Sequence, residues 1–256
     1  MSAPQRRQQI MVELASGEVD VRALARRFSV SESTIRRDLR TLSREGLARR
    51  TYGGALAARP VEPTQEQKRQ RHVAAKQAVA RSAARDVQQG DTLVLDAGST
   101  TGLLAWELRH REELTVLTNG VSVLDALRDH PGIQLVLTGG TLRPVSQSLL
   151  GPLAEQALAL VTPDHVFVGA DGIDPEHGLN CPSLQHSAWK RSLLQRGRVA
   201  TVLADASKLD AAPHDWWAPV PTGVRLITDA GCTAAQRARL VEAGYAVTIA
   251  GEPEPE

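Results

Sequence analysis

Apolar residues in the first fifty positions recur at three- and four-residue steps. Ile10 and Leu14, then Leu24 and Phe28, each mark one face of a short helix. Gly17 ends the first helix. A second is predicted over Val21–Phe28, with Asp20 as its N-cap. Ser29 and Val30 make a tight turn, and Ser31 caps a third helix over residues 32–45, which stops before Gly46. Two helices joined by so short a turn have helix-turn-helix geometry. The third helix has two faces. Ile35, Leu39 and Leu42 point inward, while Ser33, Arg36, Arg37, Arg40 and Arg44 form an outward stripe. After Leu47, a short strand followed by Gly53 and Gly54 predicts a hairpin flanking that helix.

Residues 57–70 contain Pro60 and Pro63, show no apolar period and read as an exposed connector. Residues 68–87 turn helical again, with Val73, Ala80 and Ala84 among spaced Arg and Lys, a stretch suited to bridging two units or to a dimer contact. From Asp91 onward short aliphatic strands alternate with helices. Strands are predicted over 92–96, 114–118, 134–138, 165–169, 198–204, 225–228 and 246–250, and helices over 102–109, 149–160, 185–195 and 234–243. That alternation predicts an α/β fold, a mostly parallel sheet covered on both faces. Such sheets bind ligands at the carboxyl ends of their strands.

Composition narrows the class. The 256 residues, 42% of them hydrophobic, suffice for one large or two modest cores. With 3% aromatics, aliphatic residues and Ala must do the packing. The 20 Gly and 14 Pro are too few for a low-complexity chain. No apolar run reaches the roughly 18 residues that span a bilayer, and no apolar segment follows the charged N-terminus as a secretion signal requires. Two cysteines, Cys181 and Cys232, do not make a disulfide scaffold. A cytoplasmic protein with no membrane partner is expected. The net charge of +1 hides an asymmetry: residues 1–59 hold 12 Arg, no Lys and 6 acids, +6 in all, which leaves −5 for the remainder. A small basic unit joined to a larger acidic one suits a polyanion such as DNA.

An Arg stripe that starts near a helix N-terminus fits the major groove, where Arg binds guanine bidentately and Ser or Thr touch phosphates or bases. The candidate DNA-binding residues are Ser33, Thr34, Arg36, Arg37 and Arg40, with Arg49 and Arg50 of the hairpin on phosphate. Asp38 is read as orienting a neighbouring Arg, because a carboxylate facing phosphate is repelled. In the larger unit, polar and glycine residues gather at the strand ends. The run Asp96-Ala97-Gly98-Ser99-Thr100-Thr101 brings hydroxyls and free N–H groups to a helix N-terminus, an anion site. It is neither a Walker loop nor a dinucleotide fingerprint. Thr118-Asn119-Gly120, Thr138-Gly139-Gly140, Gly169-Ala170-Asp171-Gly172 and Asp205-Ala206-Ser207-Lys208 end later strands, and Lys190 lies on a helix between the last two. Cations and N–H groups suit the phosphate of a phosphorylated polyol, Asp and Asn its hydroxyls. The candidate effector residues are therefore Asp96, Gly98, Ser99, Thr100, Thr101, Asn119, Gly139, Gly140, Asp171, Lys190 and Lys208. Nothing asks for a cofactor or a metal: the seven His are scattered, without His-x-x-x-His or Cys-x-x-Cys spacing. Cys232, after a Gly at a helix start, is the one thiol expected to be mildly acidic.

The run Thr34-Ile35-Arg36-Arg37-Asp38-Leu39 with the downstream Gly53-Gly54-Ala55, set among Arg7, Ile10, Gly17, Leu24, Phe28, Leu42 and Gly46-Leu47, resembles the DeoR-type winged helix-turn-helix of bacterial transcription regulators. Asp96-x-Gly98-Ser99-Thr100-Thr101, Thr118-Asn119, Gly139-Gly140, Gly151, Gly178-Leu179, Lys190 and Asp205-x-Ser207-Lys208, preceded by Arg71 and Lys76, resemble the sensor domain of the same family. The resemblance runs from about residue 6 to 250. It implies a DNA-binding domain over 3–58, a linker over 59–72, and an effector-sensing and oligomerisation domain over 73–251 that is similar in fold to ribose-phosphate isomerases and coenzyme A transferases. It implies a homo-oligomer, dimer or tetramer, that holds a double-stranded DNA operator and represses a carbohydrate-catabolism operon until a phosphorylated sugar relieves it. An activator of the same type is one alternative. An isomerase-like enzyme using Asp96, Asp171 and Lys190 as acid–base groups is the other, although the Lys-Gly-Gly-Gly run and paired catalytic acid of those isomerases are missing. The chain departs from the family pattern at Ala23, Tyr52, Asn180-Cys181 and His186, and the last three positions bear on effector choice.

Overall fold

The computed structural model describes residues 1–14, 17–57 and 62–252 and divides the chain into two compact units, Met1–Thr64 and Gln65–Glu256. The first unit comprises α1 (Ala3–Leu14), β1 (Val19–Asp20), α2 (Val21–Phe28), α3 (Glu32–Arg44), β2 (Ala48–Arg50) and β3 (Gly54–Ala57). Local chemistry sets its turns. The Asp20 carboxylate accepts the Ala23 N–H at the head of α2, Ser29 adopts a left-handed conformation (φ 52°) at its end, and the Ser31 hydroxyl accepts the Thr34 N–H to start α3. Ile10, Leu14, Leu24, Ile35, Leu39 and Leu42 close into one core. β2 and β3 form the expected hairpin, and β1 pairs with the other edge of β3. A Cβ on Gly54 would lie 1.7 Å from the Val19 carbonyl oxygen, so that close approach admits only glycine.

The second unit opens with α4 (Gln65–Gln70) and α5 (Val73–Ala84), separated by His72 in a left-handed conformation. There follow β4 (Thr92–Leu95), α6 (Ser99–Leu108), β5 (Leu114–Thr118), α7 (Val121–Leu127), β6 (Ile133–Leu137), β7 (Thr141–Arg143), β8 (Ser148–Leu150), α8 (Pro152–Ala159), β9 (His165–Gly169), β10 (Gly172–Asp174), β11 (Gly178–Cys181), α9 (Leu184–Leu194), β12 (Val199–Leu203), β13 (Trp216–Ala218), β14 (Arg225–Thr228), α10 (Ala234–Glu242) and β15 (Ala246–Ile249). Seven strands, each one predicted from the aliphatic rhythm, make a parallel sheet in the order β15-β14-β12-β9-β4-β5-β6. Alternation along the strands builds a core on each face. Leu93 and Leu95 pack with Val79, Leu104, Val123, Phe167 and Leu203; Val94 packs with Ala154, Val166, Trp189, Leu193 and Val202. No helix among the described residues is long and apolar enough to cross a membrane.

Two features differ from the sequence reading. Part of the expected connector is helical: α4 lies within it, Gln65 is buried, and its N–H donates to the Val145 carbonyl at 2.8 Å. Residues 58–61 of that connector lie outside the described residues. The helix expected from 149 starts at Pro152, because β7 and β8 form a hairpin just before it, and β10, β11 and β13 make a separate antiparallel sheet. These short strands carry no aliphatic run.

The chain steps from β4 through β5 to β6, then returns to β9 on the other side of β4. The order therefore reverses between β4 and β9, and the crevice beyond their carboxyl ends is the place where an open parallel sheet takes a ligand.

Candidate functional site

In the first unit α3 presents the predicted stripe to solvent. Ser33, Arg36, Arg37 and Arg40 are exposed, Thr34 is half-buried, and Arg49 projects from β2. Arg50 belongs to β2, but its side chain lies outside the described residues. Arg36 pairs along the helix with Glu32 at 3.0 Å, whereas the guanidinium groups of Arg37, Arg40 and Arg49 make no hydrogen bond or ion pair among the described residues. Tyr52 stands fully exposed at the tip of the hairpin. Asp38 requires a correction. It does not orient an Arg of the stripe; it is buried against α1 and accepts from Arg6, Nε to Oδ2 at 2.6 Å. The pair pins α1 across α3 beneath the stripe.

In the second unit the predicted groups at the ends of β4 and β9 meet. Asp96 is buried and receives the Lys190 ammonium (2.7 Å) and the Trp189 indole N–H (3.0 Å); Lys190 also donates to the Gly169 carbonyl. Burial works to lower the pKa of Lys190, but Asp96 outweighs it and the ammonium is held charged. The sequence reading made Lys190 a cation for phosphate. In the structure two of its N–H groups close the floor of the crevice, on Asp96 and the Gly169 carbonyl. Asp171, just past β9, is likewise engaged, with Lys68 of α4 at 2.6 Å and His214 Nε2 at 3.5 Å. Burial alone would raise its pKa, and Lys68 with His214 holds it well below the ordinary carboxylate value.

The loops after β4 and β5 fit each other closely. Asn119 Oδ1 accepts the Ala97 N–H, Ser122 donates to the Gly98 carbonyl, and Thr118 donates to the Leu95 carbonyl. A Cβ on Gly120 would come within 2.8 Å of Ala97, and one on Gly98 within 2.8 Å of the Thr101 hydroxyl. These two glycines are the N-caps of α7 and α6, and neither supplies a side-chain cap, unlike Ser31, Ser183 and Thr233 at α3, α9 and α10. The first-turn N–H groups of α6, from half-buried Ser99 through buried Thr100 and Thr101, are thus left open at the rim. Gly139 and Gly140 have a backbone reason of their own: both have positive φ, and a Cβ on Gly140 would lie 2.6 Å from the Leu150 carbonyl oxygen.

Among the described residues eight buried side-chain polar atoms have no partner, and three of them, Thr101 Oγ1, Asn119 Nδ2 and Asp205 Oδ2, lie just after β4, β5 and β12. Lys208, half-buried, makes no hydrogen bond or ion pair through its ammonium among the described residues. Nearby Lys76, absent from the predicted set, is 2% exposed on α5 and donates to the Lys68 carbonyl. Burial pulls its pKa down to about 8 against the attraction of Asp205, with Lys208, Lys68 and Arg71 adding to the depression. Its signal in the sequence was a Lys in register with the apolar stripe Ala80 and Ala83. A cleft of about 330 Å³ opens beside Ser99, between α4, α6 and α7, with Gln65, Arg69, Gln77, Ser122 and Gln147 on its walls.

The departures from pattern have structural roles here. His186 bonds Ser183 through Nδ1 (2.8 Å) and reaches Ser146 and Ser148 through Nε2 (3.4 Å each), which ties α9 to the β7–β8 hairpin. Asn180 clamps the backbone of His214 in both directions. Burial pushes the Cys181 thiol up to about 11. Cys232 is corrected as well: burial raises its pKa against the opposing pull of Arg237, so it is not an acidic thiol. No His, Cys, Asp and Glu cluster among the described residues is able to hold a metal ion.

Comparison with known proteins places both units. A DeoR-like helix-turn-helix domain matches residues 6–61, and a DeoR C terminal sensor domain matches residues 71–230. A protein of Escherichia coli O157:H7, provisionally named an aga operon transcriptional repressor, is 35% identical over 97% of this chain and 94% of its own length. The transcriptional repressor AccR of Agrobacterium fabrum is 32% identical (90% and 91% covered), and the regulator GlpR of Haloferax volcanii 31% (95% and 97%). Among solved structures, a ribose 5-phosphate isomerase from Methanocaldococcus jannaschii matches 52% of this chain and 53% of its own at 22% identity and a TM-score of 0.39, a likeness that carries no argument.

Proposed function

The chain belongs to the DeoR family of DNA-binding transcriptional regulators, and from that premise we propose that it represses a carbohydrate-catabolism operon and releases its operator when a phosphorylated sugar occupies the carboxyl edge of its sheet. The α3 stripe of Ser33, Thr34, Arg36, Arg37 and Arg40 meets the operator in the major groove, on bases and on phosphates, with Arg49 and Arg50 on its backbone. A homo-oligomer in the cytoplasm presents two such helices to repeated half-sites. The names of the relatives from Escherichia coli O157:H7 and Agrobacterium fabrum favour repression over activation.

The observation that carries the effector half is the trio of unpartnered buried atoms on Thr101, Asn119 and Asp205. A buried polar group without a partner costs about 1–3 kcal/mol, and a polyol hydroxyl supplies the missing bond to each. The phosphate sits on the open first turn of α6 at Gly98–Thr101, with Lys208 and Lys76 as its cations. Coupling of roughly 1–3 kcal/mol between effector and operator is sufficient for such a switch.

A thermal-shift screen of pentose, hexose and polyol phosphates against their unphosphorylated parents tests this reading. The expected result is that one phosphorylated compound raises the melting temperature and also releases a DNA duplex selected by the full chain. If no phosphorylated sugar shifts the melt, the effector reading is wrong. If the compound tightens DNA binding, the protein is an activator. Isomer formation during the incubation would make it an enzyme.

A further inference from the structure

A second concave site lies in the first unit. Between α1 and α3 is a cleft of about 310 Å³ whose walls include Arg6, Arg7, Ser33, Thr34, Arg37 and Asp38. Its charges do not cancel. Arg6 and Asp38 neutralise one another at 2.6 Å, both nearly buried, and Asp38 is the one carboxylate in the wall among the described residues. Arg7 is half-buried and Arg37 exposed, and neither guanidinium has a hydrogen bond or ion pair among the described residues. Two like charges share one concavity and repel. The hydroxyl-bearing first turn of α3, with the positive end of its helix dipole, borders the same space. The cleft is a hollow of net positive charge.

We propose that this cleft is a phosphodiester site: one backbone phosphate of the bound duplex seats between Arg7 and Arg37, so that α1 joins the DNA interface through a residue outside the recognition helix. The buried Arg6–Asp38 pair is the device that holds Arg7 in place, since it fixes the adjoining turn of α1 against α3. A phosphate contact carries no base preference, so it adds the same affinity to every duplex that lies against α3. The inference rests on the duplex lying against α3 and is independent of the effector.

The test uses the full chain with two duplexes of equal length, one selected by the parent from a randomised library and one of random sequence. Affinities are measured by fluorescence anisotropy across a series of KCl concentrations. Each neutralised phosphate contributes about 0.9 to the slope of log affinity against log salt. Arg7→Ala is expected to weaken both duplexes by the same factor, about five- to tenfold near 0.1 M salt, and to flatten the slope by about 0.9. Arg7→Lys is expected to keep the slope. If Arg7→Ala melts earlier than the parent, Arg7→Gln, which retains most of the stem, is read in its place.

An unchanged slope and affinity would overturn the proposal. So would a change in the ratio between the selected and the random duplex, which would mean that Arg7 reads bases. Inorganic phosphate that raises the melting temperature of the parent but not of Arg7→Ala, with the DNA slope unaltered, would identify a site for the free ion and overturn it too. A parent chain that selects no duplex overturns the α3 interface and this site together. A parent that selects one while Arg7→Ala keeps its slope overturns this site alone.

Discussion

Lys190 and Asp96, 94 positions apart, form a buried ion pair (Nζ to Oδ2 2.7 Å) at the point where the strand order of the sheet reverses. Because Lys190 also donates to the Gly169 carbonyl, one ammonium bridges the ends of β4 and β9. Its removal leaves a buried carboxylate with only the Trp189 indole as partner. Lys190→Met is therefore expected to destabilise the second unit by about 3–5 kcal/mol, the usual consequence of breaking a buried pair on one side. Lys190→Met with Asp96→Asn is expected to recover part of that loss. Denaturant titration checks both, and a Lys190→Met chain as stable as the parent would show that the crevice floor is not held by this pair.

Lys68 and Asp171 suggest how occupancy is felt. Asp171 belongs to the predicted effector set, yet its carboxylate is already paired with a residue of α4, the first element after the segment that joins the two units. An effector hydroxyl that reaches Asp171 meets the pair holding α4 to the rim. Lys68→Met is expected to leave effector-induced thermal stabilisation within about a factor of two of the parent, while effector-induced DNA release falls at least fivefold. Release at the parental level would show that α4 is not part of the transmission.

What could be read in advance follows the range of each interaction. The seven sheet strands were legible because parallel strands buried on both faces must be aliphatic runs, and the turns of the first unit because Asp20 and Ser31 are local caps. The partners of the charged residues were not. Arg6–Asp38 spans 32 positions and Lys68–Asp171 spans 103, and no local pattern encodes either. Asp38 was accordingly taken for an orienting group of the stripe, and the bonds of Lys190 to Asp96 and Gly169 were not foreseen. The β10-β11-β13 sheet escaped notice because its edge depends on Gly172, where a Cβ would meet the Ala211 carbonyl oxygen at 1.9 Å, and on the Asn180 clamp to His214. Each contact joins segments more than thirty residues apart.

Lys76 gives the proposed effector site a pH dependence with a definite sign. Its pKa of about 8 leaves it charged below that value and neutral above it. A phosphate monoester is already dianionic above about pH 6, so the ligand does not titrate in this window. Effector affinity is expected to fall as pH rises through about 8, whereas an ordinary lysine would give no change until about 10.4. Lys76→Gln should weaken binding at pH 7 and flatten the profile. In the apo chain the linkage runs the other way. The folded pKa lies below the unfolded one, so the unfolded state binds more protons between about 8 and 10.4, and this residue's contribution to stability rises with pH there. Isothermal titration at pH 7, 8 and 9 checks the first claim; a profile identical in parent and variant would remove Lys76 from the site.

Arg37 and Asp38 are adjacent on α3 and should fail in opposite ways. Asp38→Asn leaves Arg6 buried without its counter-charge, and the first unit should lose about 3 kcal/mol. Because that unit has its own core, the loss should show as a separate, earlier melting transition. Arg6→Met with Asp38→Leu, which removes both charges and keeps apolar volume, should restore most of it. Arg37→Ala touches no packed group, so its stability should stay within about 0.5 kcal/mol of the parent. It should nonetheless bind the selected duplex about tenfold more weakly, a loss in the range of a single base or phosphate contact, and keep its response to effector in the thermal assay. Calorimetry and anisotropy on the two single variants separate the roles. An Asp38→Asn chain that melts like the parent would show that the Arg6 pair does not hold α1 on α3, and an Arg37→Ala chain with parental DNA affinity would move the reading surface off this face of the helix.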